Sequence, residues 1–154
     1  MTKKQPTKNN REGVDNYGRN QLHYAALASD IAQLSERLVA GDDCNLKDDN
    51  GWTPLHFAAQ SQSAQAVQKL LANGASVDSQ DNNGNTPLWR AVFNYRGDFG
   101  PIELLLAAGA DAWKENDHGV SAFELGTDTD DLVLEKFFRG LHMPDPAVNT
   151  DAAR

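Results

Sequence analysis

A 33-residue phrase recurs along this chain, and no other feature restricts its fold as tightly. Asp48-Asp49-Asn50-Gly51-Trp52-Thr53-Pro54-Leu55-His56-Phe57-Ala58-Ala59 has one counterpart upstream, Asp15 to Ala26, and another downstream, Asp81 to Val92. Gly18, Gly51 and Gly84 stand 33 residues apart, and so do Gly41 and Gly74. A period of that length describes units that cannot bury an apolar face alone and must stack on their neighbours. Such a stack keeps one long surface for a partner, so the period points to a binding module before any catalytic residue is weighed.

The physics inside each unit agrees with stacking. Asp-x-x-Gly supplies turn chemistry, because an aspartate can bond amides two residues on and glycine tolerates positive φ. Thr53-Pro54 and Thr86-Pro87 then open a helix, with threonine at the N-cap and proline at the first helical position. Leu55, Ala58 and Ala59 make a narrow apolar stripe whose small residues permit close packing. Ala66, Val67, Leu70 and Leu71 have the spacing of a second helix, which stops at Asn73-Gly74. Ala75 to Asp78 then runs extended into the next turn. The reading is all-α: a solenoid of helix-turn-helix units with β-turn or hairpin tips.

The formal net charge is −8, unevenly spread. Residues 1–13 hold Lys3, Lys4, Lys8 and Arg11 against Glu12, which leaves a strongly acidic body behind a basic tail expected to be disordered. That body repels phosphate backbones, which argues against nucleic acid and favours a basic protein partner. Surplus acid also serves as a plain solubility device. Cys44 is the only cysteine, so no internal disulfide is expected. The start has no apolar run of signal-peptide type, and Ile102 to Ala108 is far too short to span a membrane. A soluble, cytoplasmic, monomeric chain with no membrane contact is the expectation.

The pattern Asp-x-x-Gly-x-Thr-Pro-Leu-His-x-Ala-Ala, then Leu-Leu, then Gly-Ala, resembles the ankyrin repeat. Thr53 to Ala59, Leu70-Leu71 and Gly74-Ala75 match it, and Thr86-Pro87-Leu88, Leu104 to Leu106 and Gly109-Ala110-Asp111 match it again. The resemblance covers roughly 14–139. It divides the chain into an N-terminal capping repeat (14–47), a full repeat (48–80), a repeat with two extra residues (81–115) and a C-terminal capping repeat (116–139). A C-terminal tail follows at 140–154. Polar Asn20-Gln21, Gln33 and Arg37 suit a terminal unit with one face in water. The extra residues fall in Phe93 to Pro101, between two helices. That aromatic loop either forms part of a binding face or lies back on the stack.

Catalytic and metal readings fail on spacing. His23 and His56 share one repeat slot and are expected, by resemblance, to hydrogen-bond locally; Trp89 holds the third such slot. Cys44 has no partner at metal-ligand spacing. The Asp-rich turns place glycine fourth and Ala59 or Val92 twelfth, unlike a calcium loop with glycine sixth and glutamate twelfth. No phosphate loop or nucleophile elbow appears. The expectation is a non-enzyme with no cofactor and no metal.

The resemblance implies that partners meet the turn tips and the inner side of the first helices. The slots this marks as partner-binding are Tyr17, Arg19, Asp49, Asn50, Trp52, Gln60, Asn82, Asn83, Asn85, Phe93, Asn94, Tyr95 and His118, with Leu27 also facing that side. Trp52 is the foremost, as a large aromatic at a tip. Trp89 and Trp113 are expected to pack within the stack. The chain also resembles small stand-alone bacterial ankyrin proteins, some of which neutralise toxins encoded beside them. With no second domain expected, an inhibitor or immunity-type protein against a basic toxin or enzyme is the leading reading. A non-inhibitory adaptor or a stabilising subunit is the alternative.

Overall fold

The computed structural model describes residues 12–141. Most of the basic tail (1–13) and of the C-terminal tail (140–154) lies outside those residues. Within them the chain forms four helix pairs and no strand: α1 (Gln21–Ala28) with α2 (Ile31–Val39), α3 (Pro54–Gln60) with α4 (Ala64–Ala72), α5 (Pro87–Phe93) with α6 (Gly100–Ala107), and α7 (Ala122–Thr127) with α8 (Leu132–Arg139). Helices α1, α3, α5 and α7 pack side by side as one layer, and α2, α4 and α6 form a second.

Local chemistry sets the helix starts. The Asn20 side chain accepts the amides of Leu22 and His23, Thr86 Oγ1 accepts that of Trp89 (3.1 Å), and Ser121 with Glu124 closes a reciprocal capping box. Asp30, Ser63 and Asp131 cap the second helices. The core is the seam between layers. Leu22, Leu55, Leu88, Leu34, Val67, Leu70, Ile102 and Leu105 have no exposed surface, and Ala25, Ala26, Ala58, Ala59 and Ala91 let the first helices close together.

The tips are tied to one another. Asp48 Oδ1 accepts the amides of Asn50 (2.9 Å) and Trp52 (2.8 Å), and Asp81 and Asn116 do the same in their own turns. Backbone bonds then join the turns across units: Asp49 N–H to the Tyr17 carbonyl (2.8 Å), Asn82 to Asn50 (2.9 Å) and Asp117 to Asn83 (3.0 Å). Gly51, at φ 77°, has no room for a side chain, since a Cβ would stand 2.8 Å from the Asn82 nitrogen.

The buried histidines explain how tip and helix hold together. His56 Nε2 lies 3.0 Å from the Asn85 carbonyl, which can only accept, so Nε2 carries the proton. Its Nδ1 accepts the Thr53 amide (3.1 Å). His23 Nε2 bonds the Leu46 carbonyl (3.0 Å), with the Trp52 carbonyl, the counterpart of Asn85, at 3.3 Å, and its Nδ1 accepts the Asn20 amide (3.2 Å). Burial lowers the pKa of both, His56 to about 4, against the smaller upward pull of the carbonyl bonds.

Two of the three aromatics of the inserted loop, Tyr95 and Phe99, lie back on the stack, while Phe93 stays exposed. Tyr95 packs on Phe99 (4.8 Å between centroids), Phe99 on Phe137 (4.5 Å), and the run continues through Phe138 and Phe123 to Trp113. Phe138 is fully buried against Gly126, where a Cβ would come within 2.3 Å of the ring. This sheet of rings closes the C-terminal end.

Candidate functional site

A second aromatic run follows the tips and the first helices α3 and α5, interleaved with arginines. Arg19 Cζ lies over the Tyr17 ring (5.4 Å) and the Phe57 ring (4.9 Å). Phe57 packs on Trp52 (4.9 Å), and Arg90 Cζ stands 4.2 Å from the Trp52 ring and 5.4 Å from that of Trp89. Trp89 then stacks on Phe93 at 5.1 Å and 13°. Cation–π contacts of this kind are worth about 0.5–1 kcal/mol each when exposed and more when desolvated.

Each arginine is anchored from below. Arg19 Nε donates to Asp48 Oδ2 (2.9 Å) and Arg90 Nη2 to Asp81 Oδ2 (2.7 Å), and neither aspartate side chain is exposed. Burial pushes the Asp81 carboxyl up, but the Arg90 guanidinium and the amides of Asn85 and Asn83 outweigh it and hold its pKa below the usual value. The turn aspartates therefore have two tasks: they shape the tips and they fix the arginines of the inner face.

Between the tips and the first helices lies a groove of about 510 Å³. Arg19, Asn50, Trp52, Gln60, Asn82 and Asn83 line it, all six expected from the sequence, together with Leu27. Its remaining walls, Phe57 and Arg90, were not expected. They hold the slot after Leu-His, with Tyr24, at 33-residue spacing; three large side chains at one repeat position were the available signal.

The other expected residues do not join the groove. Tyr17 (58% exposed) and Phe93 (61% exposed) stand at the two ends of the arginine–aromatic run. Asp49 and His118 are exposed at tips outside the lining. Asn94 is half-buried and donates Nδ2 to the Arg90 carbonyl (2.9 Å). Two placements correct the sequence reading. Asn85 is only 6% exposed, because its side chain bonds Asp81 and receives Asn116 Nδ2 (2.8 Å), a polar link between units that removes it from the tip surface. Tyr95 turns toward Phe99 instead of the binding side. Trp52 is half-buried under Arg90 and beside Phe57 and His56.

Among the described residues no group of three or more His, Cys, Asp or Glu is placed to hold a metal. Cys44 is buried, donates to the Asn73 carbonyl (3.4 Å), and has its thiol pKa raised by burial, the reverse of an activated nucleophile. No helix among the described residues is long and apolar enough to cross a membrane.

The family profile described as ankyrin repeats, in three copies, matches residues 22–116. No curated protein matches the chain.

Proposed function

The chain belongs to the ankyrin repeat family, an interaction module, and from that premise we propose that it captures a protein partner in the groove between its tips and first helices. The observation that carries this reading is the convergence of Trp52, Phe57, Arg19 and Arg90 with the amides of Asn50, Gln60, Asn82 and Asn83 on one concavity. Aromatic and arginine side chains are the types that anchor interfaces, and surrounding amides satisfy a partner's main chain.

The partner is a basic protein and the chain acts as its inhibitor, of the immunity type. Supporting this is the net charge of −8, which accelerates encounter with a cationic surface and masks it once bound. The chain works as a monomer in this reading, with Tyr17 and Phe93 at the margins of the contact.

The test compares wild type with a Tyr17→Ala, Trp52→Ala double variant in retention of proteins from native lysate, after circular dichroism shows both folded. A single basic protein held by wild type and released by the variant supports the groove, and its activity is then assayed with and without the chain. Stoichiometric loss of that activity supports inhibition; full activity in the complex favours the adaptor. Equal retention by both proteins removes the groove from the interface.

A further inference from the structure

We propose that the groove receives a carboxylate: an aspartate or glutamate side chain, carried on an extended segment of the partner, held by Arg19 and Arg90. This rests on the docking face proposed above and names what enters it. In a chain with a net charge of −8, the groove is lined by two arginines and by no Asp or Glu.

The compensating aspartates cannot take over the groove. Asp48 and Asp81 are fully buried beneath the lining, and their oxygens are committed to turn amides and to the arginines. Each ion pair is thus a dipole with its negative end sealed and its positive end at the groove. A guanidinium carries five N–H donors. Arg19 gives Nε to its aspartate and also bonds Tyr24, Arg90 gives Nη2, and Arg90 Nε is shielded and has no partner. Donors outnumber acceptors at this site, and a planar carboxylate is the group that guanidinium geometry matches best. A partner lysine would meet ring faces that the two guanidinium groups already cover, and would be repelled by them. A basic partner with an acidic residue at its contact point satisfies both the long-range field of the body and the local field of the groove.

The test selects random dodecapeptides displayed on phage against the full chain. Each selected peptide is then resynthesised with its Asp and Glu residues changed to the amides. Calorimetry measures both forms against wild type, Trp52→Ala, Arg90→Gln and Gln60→Glu. Trp52→Ala identifies the peptides that use the groove. Those peptides are expected to carry Asp or Glu at a shared position and to lose at least tenfold in affinity in amide form. On Arg90→Gln the two forms are expected to agree within about twofold, the signature of a direct coupling. Gln60→Glu sets an anion beside the site without disturbing either ion pair; it should weaken the acidic form at least fivefold with an unchanged thermal midpoint. Groove-dependent peptides that contain lysine at that position, or are indifferent to amide substitution, overturn the carboxylate while leaving the docking face standing. Peptides that bind Trp52→Ala as well as wild type remove the docking face itself. Failure to select any peptide counts against both.

Discussion

Two runs of aromatic rings cross this molecule, built from the same residue types and put to opposite uses. The run from Tyr17 to Phe93 is broken by Arg19 and Arg90, stays open to solvent at both ends, and forms the wall of a groove. The run from Tyr95 to Trp113 contains no cation among the described residues and closes on the fully buried Phe138. The difference lies in what each must satisfy. Among the described residues no further helix pair packs on α7 and α8, and there the inserted loop and α8 supply rings. The inner face is covered by its neighbours only at its edges, and buried aspartates keep charged donors there. An aromatic residue alone does not announce an interface; its companion does.

Point substitutions and a pH series test this contrast. The largest effect is expected at the closed run. Phe138→Ala should cost about 3–5 kcal/mol in urea unfolding, with groove occupancy unchanged at temperatures where the variant is folded. Loss of binding as severe as loss of stability would join the two regions into one unit. Acid should act on the open side, because it holds the two buried histidines, whereas the last unit has only exposed His118 among the described residues. An unfolded histidine protonates near pH 6.5, while folded His56 resists until about 4. Between those values the unfolded chain binds more protons, so this stability is full above pH 6.5 and falls as pH drops toward 4. Lowering the pH from 7 to 5 should remove about 2 kcal/mol through His56 alone. His56→Gln should flatten that dependence, and an unchanged slope would move the acid sensitivity elsewhere.

Smaller effects follow. Trp52→Ala removes a half-buried ring and one cation–π contact, and should cost about 1–2 kcal/mol of stability while lowering partner affinity by more than that. A larger loss of stability than of affinity would make Trp52 a packing residue like Phe137. Smallest of all, Glu135→Ala breaks the surface pair with Arg139 (2.7 Å) on α8 and should change stability by no more than about 0.5 kcal/mol. A drop of about 2 kcal/mol would show the last helix pair to be electrostatically held, contrary to its packing through Leu134, Phe137 and Phe138.

The helical stack was legible because its determinants are local. Thr86-Pro87 and the Asp-x-x-Gly turns act within four residues of themselves, and the structure carries their capping and turn bonds. Six groove residues were legible for the same reason: their slots repeat. Asn85 was not, since its burial depends on Asn116, 31 positions away, in a unit whose sequence has drifted. Tyr95 and Phe99 were undecidable from the loop itself, because the ring that receives them is Phe137 on the last helix. Phe57 and Arg90 were missed for a different reason. They differ in chemistry at one repeat position, and a pattern written in recurring residues passes over the slot where variation is the message.

The backbone bonds that tie each tip to the next have one more consequence. They hold neighbouring units at a constant pitch, so a partner segment could slide along the inner face only in whole-unit steps. Each step would exchange one wall for another: Tyr24 for Phe57, then Phe57 for Arg90. A ligand matched to one of these meets the wrong chemistry at the next. The uniform skeleton thereby works as a ruler and the unequal side chains as its numerals, and together they give the molecule a reading frame.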